Sequence, residues 1–328
     1  ATSFDKPLRP NTNQTYRRWY ASGRQFWNAS IDYGYVSDKL NLSGETATGD
    51  CGQVATINSV SYQLWSNVAL LALQRYYPYQ YHALYSSSFA EGGSVQDESG
   101  LFVGANWEPS RRLSIKAYTD MAYFAWPKYQ ASAPSHSWDN FAQATYTAGH
   151  WSWIARYRIK MREKNLPSTT AQSEDTGNQK ALSMKTEQRG RMAVLYGDEA
   201  YDLRLQADVA HCHFAEKNSF GWMLTACGAT QGHWLSLAAT AAYFHTDDYD
   251  SRVYAYERSV RYTFSFPSFS GEGLRLALQA RANLSAHWTV IAKVGHTRYF
   301  DRSTIGTGLQ QIDGRQMTDL DLQMRLKL

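Results

Sequence analysis

The sequence predicts an all-β fold, an antiparallel transmembrane β-barrel, and three observations support this. Apolar and polar residues alternate with period two through most of the 328 residues, which is the pattern of strands with one apolar and one polar face. Charged residues make up only 19% of the chain and aromatic residues 14%, whereas charged residues are about 25% of ordinary soluble domains. No apolar run approaches the ~18 residues of a membrane-spanning helix, so a helical membrane protein is excluded.

The alternation identifies both faces of the strands. In Thr318 to Leu328 the leucines and Met324 occupy one face and polar residues occupy the other. Because lipid requires an apolar outer face and a barrel interior tolerates polar groups, we assign the charged residues of these strands to the lumen. The predicted lumen-lining residues are Arg156, Arg158, Lys160, Arg162, Lys185, Glu187, Arg189, Arg191, Asp202, Arg204, Asp208, Arg275, Arg281, Asp319, Asp321, Arg325 and Lys327.

Strand-like segments recur along the chain without an intervening helical block. They are 24–36, 39–48, 55–66, 68–89, 98–108, 112–124, 139–148, 151–162, 184–196, 201–213, 219–230, 234–245, 253–265, 273–285, 288–300 and 317–328. Tight turns join some of them, and longer polar loops, notably 127–137, 165–180 and 302–316, join others. Long strands of this kind are typical of an outer-membrane barrel.

The number of strands between two tight turns, which should be even, singles out one segment. Three strand-like segments lie between the tight turns at Gly232 and Ser285, although short turns and long loops should alternate. The segment 247–272 begins with an acidic run and ends with Pro267 and two glycines, so we interpret it as a loop hairpin or an inward-folded segment. We therefore predict an even number of strands, about 14, with 16 as the alternative.

The same features predict location and domain organisation. Trp151, Trp153, Trp234 and Trp288 follow tight turns, where an interfacial aromatic girdle would lie. A soluble sandwich or lipocalin-like barrel also alternates, but its outward face should be rich in Lys and Glu. We expect a protein of the cell outer membrane, surrounded by lipid and lipopolysaccharide. Residues 24–328 are assigned to the barrel and residues 1–23 to an extended periplasmic lead-in.

The sequence contains few groups of residues that could form a metal site or a catalytic site. His211 and His213 flank Cys212, and Cys227 lies one strand further on, so a metal site is conceivable, but residues near a strand end are the simpler interpretation. The Asp247–Asp250 run lacks the calcium-loop spacing. No Ser-His-carboxylate motif stands out. We therefore predict no metal, no cofactor and no enzymatic activity, and the three cysteines do not form a disulfide framework.

The row Arg156, Arg158, Lys160 and Arg162 is the main functional lead, since it places four cations on one face of one strand. Two interpretations stay open. Charges facing a wide aqueous lumen would set ion selectivity. Alternatively, carboxylates would neutralise the cations and leave a salt-bridged plug. The candidate carboxylates are Glu187, Asp202, Asp208, Asp319 and Asp321.

Several motifs, in order and spacing, resemble a known family. They are Ser88–Gly100 (SFAEGGSVQDESG), Ala125–Tyr129 (AWPKY) with Ala133–Ser135, Arg156–Arg158 leading to Lys164-Asn165, Thr246–Glu257 (TDDYDSRVYAYE), Gly306–Leu309 and Ile312–Gly314. Together they resemble the C-terminal barrel of Bacteroidota outer-membrane proteins that carry N-terminal helix-hairpin-helix repeats of the ComEA type. The resemblance covers about residues 55–328. Two departures are a terminal Leu328, where such barrels often end in Phe, and the absence of a helix-hairpin-helix segment, the part that would suggest DNA contact.

Three classes of function follow. The first is a conduit for solute or polymer, with DNA or protein as the cargo that the resemblance implies. The second is a non-conducting barrel that scaffolds or anchors a complex of outer-membrane proteins. The third and least favoured is a membrane-embedded enzyme. Nucleic acid as a partner is left open by the sequence.

Overall fold

The main element of the fold is a 15-stranded sheet in which the strands follow one another in chain order. The structure, a computed structural model, describes residues 1–167, 180–263 and 266–327. The strands are β1 (Asn28–Val36), β2 (Leu40–Gly49), β3 (Val54–Trp65), β4 (Val68–Tyr77), β5 (Glu98–Ser110), β6 (Leu113–Phe124), β7 (Ser135–Ala148), β8 (Trp151–Asn165), β9 (Leu182–Gly197), β10 (Tyr201–Phe214), β11 (Lys217–Gln231), β12 (Leu235–Thr246), β13 (Glu272–Asn283), β14 (Trp288–Tyr299) and β15 (Gln316–Leu326).

Three small hairpins lie outside this sheet. They pair Thr2–Leu8 with Gly23–Phe26, Val253–Tyr254 with Ser268–Phe269, and Thr304–Ile305 with Ile312–Asp313. The only helices among the described residues are two 3-10 turns, Thr15–Arg17 and Gly308–Gln310. No helix in the described ranges is long and apolar enough to cross a membrane.

The described chain forms two compact units. Unit 1 comprises Ala1–Ala142, Arg158–Glu187 and His213–Lys217, and unit 2 comprises Gln143–Tyr157, Gln188–Cys212 and Asn218–Leu328. In each unit neighbouring strands pair antiparallel, for example β4 with β5 in unit 1 and β13 with β14 in unit 2. Each unit is described on its own below.

Most connections along the chain alternate in length, although three successive ones, 198–200, 215–216 and 232–234, are short. Two residues join β5 to β6 and two join β7 to β8, whereas residues 78–97 join β4 to β5 and residues 300–315 join β14 to β15. Gly149, in the turn between β7 and β8, has a φ of +59°, a backbone conformation that glycine adopts without strain. The alternation is the one expected for transmembrane strands with short turns on one side and long loops on the other.

One side of the strands exposes a continuous row of apolar side chains. Leu320, Leu322 and Met324 in β15 have exposed fractions of 69, 67 and 66%, and Leu205 in β10 and Leu278 in β13 have 64 and 54%. Water would disfavour so much contiguous apolar surface, whereas lipid favours it. The predicted apolar outer face is therefore present in the structure.

The opposite side of the strands is polar and largely covered. In β13 and β14 the fully or almost fully buried residues include Arg275, Lys293 and Thr297, which alternate with the exposed Leu276, Leu278 and Val294. Such burial of charged groups requires partners. The covering elements are the connection 78–97 in unit 1 and the described residues 247–263 and 266–271 in unit 2.

The segment singled out by strand parity is not a strand of the main sheet. β12 pairs directly with β13, and within the described part of 253–265 only Val253–Tyr254 is extended into a short pair. Residues 264 and 265 lie outside the described residues. The prediction that this segment does not contribute a strand to the main sheet is therefore confirmed for its described residues, and its inward folding stays a prediction.

The predicted strand 68–89 was too long. β4 ends at Tyr77, because Pro78 has no N–H to continue the ladder. Apolar and polar residues continue to alternate after Pro78, because Tyr81 is buried with Tyr77 in one small apolar cluster that includes Ala55. Part of the predicted loop 165–180, residues 168–179, lies outside the described residues.

The two strands at the ends of the order are open in the described structure. β1 pairs with β2, and β15 pairs with β14, and neither has a second partner among the described residues. The expected even number of strands is not met by this sheet alone, which contains 15 strands.

Candidate functional site

The segment between β12 and β13 in unit 2 is anchored by apolar side chains. Val253, Ala255 and Phe269 are buried in a cluster with residues of β10, β11, β12 and β14, namely Ala210, Met223, Ala242, Phe244 and Tyr299. The rings of Phe244 and Phe269 stack with centroids 4.7 Å apart. Each large apolar side chain that is buried in this way stabilises the packing by roughly 1.5–3 kcal/mol. The inner face of these strands is thus apolar where the segment packs on it.

A buried carboxylate ties the same segment to the polar face. Glu257 accepts hydrogen bonds from Arg275 in β13, with Nε to Oε1 at 2.8 Å, and pairs with Lys293 in β14 at 2.9 Å. Arg275 also pairs with Asp319 in β15 at 2.6 Å. We call Glu257, Arg275, Lys293 and Asp319 the Glu257 cluster. Gly295 makes room for it, because a Cβ there would overlap the Arg275 guanidinium.

The charge balance of the cluster holds Glu257 in its ionised form. Burial acts to raise the pKa of Glu257, but the hydrogen bonds from Arg275 and Lys293 outweigh burial, and the pKa lies below its ordinary value. Buried charges persist when they are paired and hydrogen-bonded in this way. The segment is therefore held on the sheet by ionic as well as apolar contacts.

Further contacts extend along the segment. Arg258 pairs with Asp202 in β10 at 2.9 Å, and Gln279 in β13 donates to the Ser259 carbonyl at 2.6 Å. Gln323 in β15 accepts from the Arg261 backbone N–H and donates to the Arg261 carbonyl. The segment thus contacts strands from β10 to β15 within unit 2.

The segment does not fill the polar face of unit 2. A cavity of about 570 Å³ is lined by residues of the turn between β7 and β8, of β8 to β12, and by Tyr256 and Arg258. A second cavity of about 390 Å³ is also lined by Arg258, together with Gln279, Arg281 and Ile291. Both volumes fall in the range of small-molecule sites.

In unit 1, the predicted cation row of β8 is neutralised by two carboxylates. Arg158 pairs with Asp139 in β7, and its Nε donates to Oδ1 at 2.8 Å. Lys160 pairs with Glu91 at 2.7 Å and lies 3.6 Å from Asp139. Arg162 pairs with Glu91 at 2.7 Å. In unit 2, Arg156 donates to Gln143 at 2.8 Å.

Glu91 belongs to the connection 78–97, so this loop is attached to β8 by ion pairs. Burial acts to raise the pKa of Glu91, but its contacts with Lys160 and Arg162 outweigh burial and lower it. Ser137 adds a hydrogen bond at 2.9 Å. Glu98, at the start of β5, accepts the backbone N–H groups of Glu91 and Gly92 at 2.8 and 2.7 Å. The loop is therefore fixed through both its side chain and its backbone.

A second buried network supports the same loop. Arg75 in β4 is fully buried, pairs with Glu98, and pairs with Asp120 in β6 at 2.8 Å. Nearby, Asp97 has a φ of +54° and accepts the Trp126 backbone N–H at 2.9 Å. Burial raises the pKa of the Asp97 carboxyl to about 6. Burial likewise lowers the pKa of Lys128, whose Nζ lies 3.5 Å from the centroid of the Phe124 ring.

The remaining predicted residues have the following partners. Lys185 lies 3.5 Å from Glu187, Arg191 pairs with Asp208 at 2.6 Å, and Arg189 donates to the Arg252 carbonyl at 3.0 Å. Arg204 donates to Gln206, and Asp321 and Arg325 lie opposite Lys293 and Thr289 in the β14–β15 register. The Lys327 backbone N–H donates to the His287 carbonyl. Nε of Arg204 and Nε of Arg281 are buried and have no hydrogen-bond partner in the described structure. The assignment of these residues to a lumen stays a prediction.

Sequence reasoning missed three carboxylates that matter most. Asp139, Glu91 and Glu257 pair with the predicted cations, yet two of them lie in connections, which period-two analysis assigns to no face. A usable signal was present, because Glu91 and Glu257 each fall within a motif that carries the family resemblance. The carboxylates that were expected to neutralise the β8 row pair with other cations: Asp202 with Arg258, Asp208 with Arg191, Asp319 with Arg275 and Glu187 with Lys185.

The described residues contain no group of three His, Cys, Asp or Glu side chains that could hold a metal ion.

Residues 1–23 contact the long connections of unit 1. Trp126 Nε1 donates to the Thr15 carbonyl, and Gln96 donates to the Trp19 carbonyl, both at 2.9 Å. The periplasmic location of 1–23 stays a prediction.

Comparison with known proteins gives likenesses to solved structures. No family model matches the chain, and no curated protein matches it significantly. The outer-membrane expressed OmpT of Vibrio cholerae is similar at 14% identity over 91% of this chain and 88% of its own, with a TM-score of 0.47. The copper transporter OprC is similar at 12% identity over 83% of this chain and 52% of its own, with a TM-score of 0.47.

The RagAB peptide transporter is similar at 10% identity, with a TM-score of 0.49, over 99% of this chain. This chain spans about half of the RagAB chain, 51%. Copper and peptide are named as the cargo of those proteins, and neither is assigned to this chain.

The geometry defines a class of protein. Long antiparallel strands expose an apolar row on one side and bury charged residues on the other, and only lipid provides a solvent for such a surface. Membranes crossed by β-strands of this kind are bacterial-type outer membranes. The chain is an outer-membrane protein of the β-barrel type, with membrane lipid around its apolar face.

Proposed function

We propose that the chain forms a closed outer-membrane barrel that acts as a gated conduit for solutes, with residues 247–263 of the connection between β12 and β13 as its gate. The observation that carries the proposal is the incomplete filling of the polar face of unit 2. The segment is fixed by the Glu257 cluster, yet two cavities of about 570 and 390 Å³ remain beside it. A purely structural plug would be expected to pack densely.

Closure is the first part of the proposal. The sheet has 15 strands, so an even-numbered barrel requires one more strand, which favours the predicted alternative of 16. Cysteine pairs on β1 and β15, at Ile31 and Leu322 and at adjacent register positions, test this by oxidative cross-linking in lipid. Cross-linking within one barrel would show that β1 and β15 pair directly and would overturn the count of 16.

The gate is the second part. Removing the carboxylate of Glu257 leaves Arg275 and Lys293 without their shared partner, so the segment should leave the sheet more often. Planar-bilayer recordings of the full chain should show low conductance for the native protein and longer openings for Glu257→Gln. The control Glu272→Gln changes the same functional group at the start of β13 without touching the cluster, and its conductance should match that of the native protein.

A scaffold is the second candidate function, and the almost complete burial of Glu257, Arg275 and Lys293 favours it. Glu257 and Lys293 have 1 and 2% of their side-chain surface exposed, as expected for a permanent closure. In that case neither the native protein nor Glu257→Gln conducts ions, and the long connections would serve as docking elements for protein partners. Absence of conductance in both proteins would overturn the conduit.

A further inference from the structure

We propose that the 570 Å³ cavity of unit 2, the Arg204 cavity, binds a small organic anion that carries a carboxylate next to an apolar group. The cavity has a volume of about 570 Å³. Its polar lining includes Arg191, Arg204, Arg258, Asp202 and Thr225. The inference deepens the conduit hypothesis by naming a class of solute, but the binding itself does not require conduction.

The charges that line the cavity do not cancel. Arg258 pairs with Asp202 at 2.9 Å and Arg191 pairs with Asp208 at 2.6 Å. Arg204 donates to the neutral amide of Gln206 and forms no ion pair within the described part of the chain. The five charged residues named here are three arginines and two aspartates, so their net charge is +1. A partly buried guanidinium without a carboxylate is an unfavourable arrangement, which a bound anion would relieve.

Two buried polar atoms strengthen this interpretation. Nε of Arg204 and Oγ1 of Thr225 have no hydrogen-bond partner among the described residues, and both residues line the cavity. Gln206 is occupied, because it also donates to Asp208. Arginine presents a planar set of donors that fits a carboxylate in two-point contact. The donor set therefore matches a carboxylate better than a neutral solute.

The rest of the lining selects for an apolar part in the same ligand. Leu195, Ala229, Ala238 and the ring of Tyr256 border the cavity. An inorganic anion would leave this surface in contact with water, whereas an organic anion of small-molecule size would cover it. The cavity thus combines one uncompensated cation with an apolar wall.

Cys227 provides a natural reporter, because it lines the cavity and accepts a hydrogen bond from Thr240 with an oxygen-to-sulfur distance of 3.6 Å. The experiment uses the full chain with Cys51→Ser and Cys212→Ser, purified in detergent micelles. Cys227 is modified with the anionic 2-sulfonatoethyl methanethiosulfonate and, separately, with the cationic 2-trimethylammonioethyl methanethiosulfonate. Each rate is divided by the rate with a free small thiol.

The anionic reagent should react about five-fold faster than the cationic one, since an excess cation attracts one and repels the other. Arg204→Gln should bring the ratio close to one. Arg298→Gln removes the same charge from an exposed position of β14 and should leave the ratio unchanged. Benzoate should slow modification of Cys227 in the native background, and benzylammonium should not.

Equal rates for the two reagents, no reaction with either, or a ratio that Arg204→Gln leaves unchanged would overturn the inference. Protection by benzylammonium as strong as that by benzoate would also overturn it. Because these rates are measured in micelles, they are independent of bilayer conductance. If the protein prefers the anionic reagent but does not conduct ions, the anion site is supported and the conduit proposal is wrong. If it conducts ions but shows no such preference, the conduit is supported and the anion site is wrong.

Discussion

Glu257 and Lys293 form an ion pair of 2.9 Å with both side chains almost fully buried, although Glu257 lies in a connection and Lys293 lies in the middle of β14. Arg275 contacts the same carboxylate from the adjacent strand β13. The connection between β12 and β13 is thus fixed against a strand that follows it in the chain. This relationship determines how unit 2 should respond to substitution and to acid.

Glu257→Gln should lower the free energy of unfolding by about 3–5 kcal/mol, the usual cost of removing one member of a buried charge pair. The measurement is urea unfolding of the full chain folded into lipid vesicles. Asp202→Asn is the matched control, because it breaks the half-exposed pair with Arg258, where about 0–1 kcal/mol is expected. Equal costs for the two variants would contradict the assigned burial of Glu257.

Acid should release the same segment. The pKa of Glu257 lies below its ordinary value of 4.5, so its stabilising contribution is complete above pH 4.5 and is lost as pH falls through the lowered value. Hydrogen exchange of residues 247–263 should accelerate in that range before β13 and β14 exchange. In Glu257→Gln the exchange of this segment should be fast at neutral pH and lack the acid-dependent step.

Asp97→Asn should stabilise the protein at pH 8 by about 1–3 kcal/mol. Burial raises the pKa of Asp97 to about 6, so the folded state holds this proton more tightly than the unfolded state, and stability decreases as pH rises toward and through 6. Asparagine keeps an oxygen acceptor for Trp126 and tolerates the positive φ. The advantage of the variant should shrink by pH 5. Asp38→Asn, in the exposed turn after β1, should show no such pH dependence.

Leu278→Arg should cost about 2–4 kcal/mol in lipid, because this exposed side chain lies on the apolar row of β13. Gln279→Arg, one position along, faces the 390 Å³ cavity and loses one hydrogen bond to Ser259, a loss of about 1 kcal/mol. The comparison uses the same vesicle unfolding assay. If the two arginines are tolerated equally, the apolar row does not face lipid.

Glu91→Gln should loosen the connection 78–97. The carboxylate holds Lys160 and Arg162, and charged hydrogen bonds of this kind contribute about 1.5–3 kcal/mol. Limited proteolysis between residues 82 and 95 should become faster, while Glu108→Gln, an exposed residue near a tight turn, should leave the digestion pattern unchanged. An unchanged pattern in Glu91→Gln would mean that the backbone bonds to Glu98 suffice to hold the loop.

Period-two alternation predicted the strands because each strand obeys one local rule. β15 was expected at 317–328 and lies at Gln316–Leu326, and β10 was expected at 201–213 and lies at Tyr201–Phe214. The strand count between tight turns also identified the segment before β13 as one that is not a strand of the main sheet. These features depend on neighbouring residues, so the sequence contains them directly.

The partners of the charged residues could not be predicted in the same way. Glu91 meets Lys160 across 69 residues, and no local pattern shows which connection folds onto which strand. The apolar inner face formed by Met223, Phe244 and Tyr299 breaks the apolar-outside rule, because it receives a loop and not lipid. The Arg204 cavity depends on such long-range packing, so neither its volume nor its charge could be read from the sequence.

The two covering connections differ in when they can be completed. Glu257 and Arg275 are 18 residues apart, whereas Glu91 and Lys160 are 69 residues apart. Contacts between nearby residues close small loops and form early, and distant contacts form late. A chain that adds hairpins in order can therefore seal the segment between β12 and β13 as soon as β13 and β14 are present. The 78–97 connection, by contrast, has to wait for β8, and a refolding chain should pass through a stage in which this loop is still open to proteases.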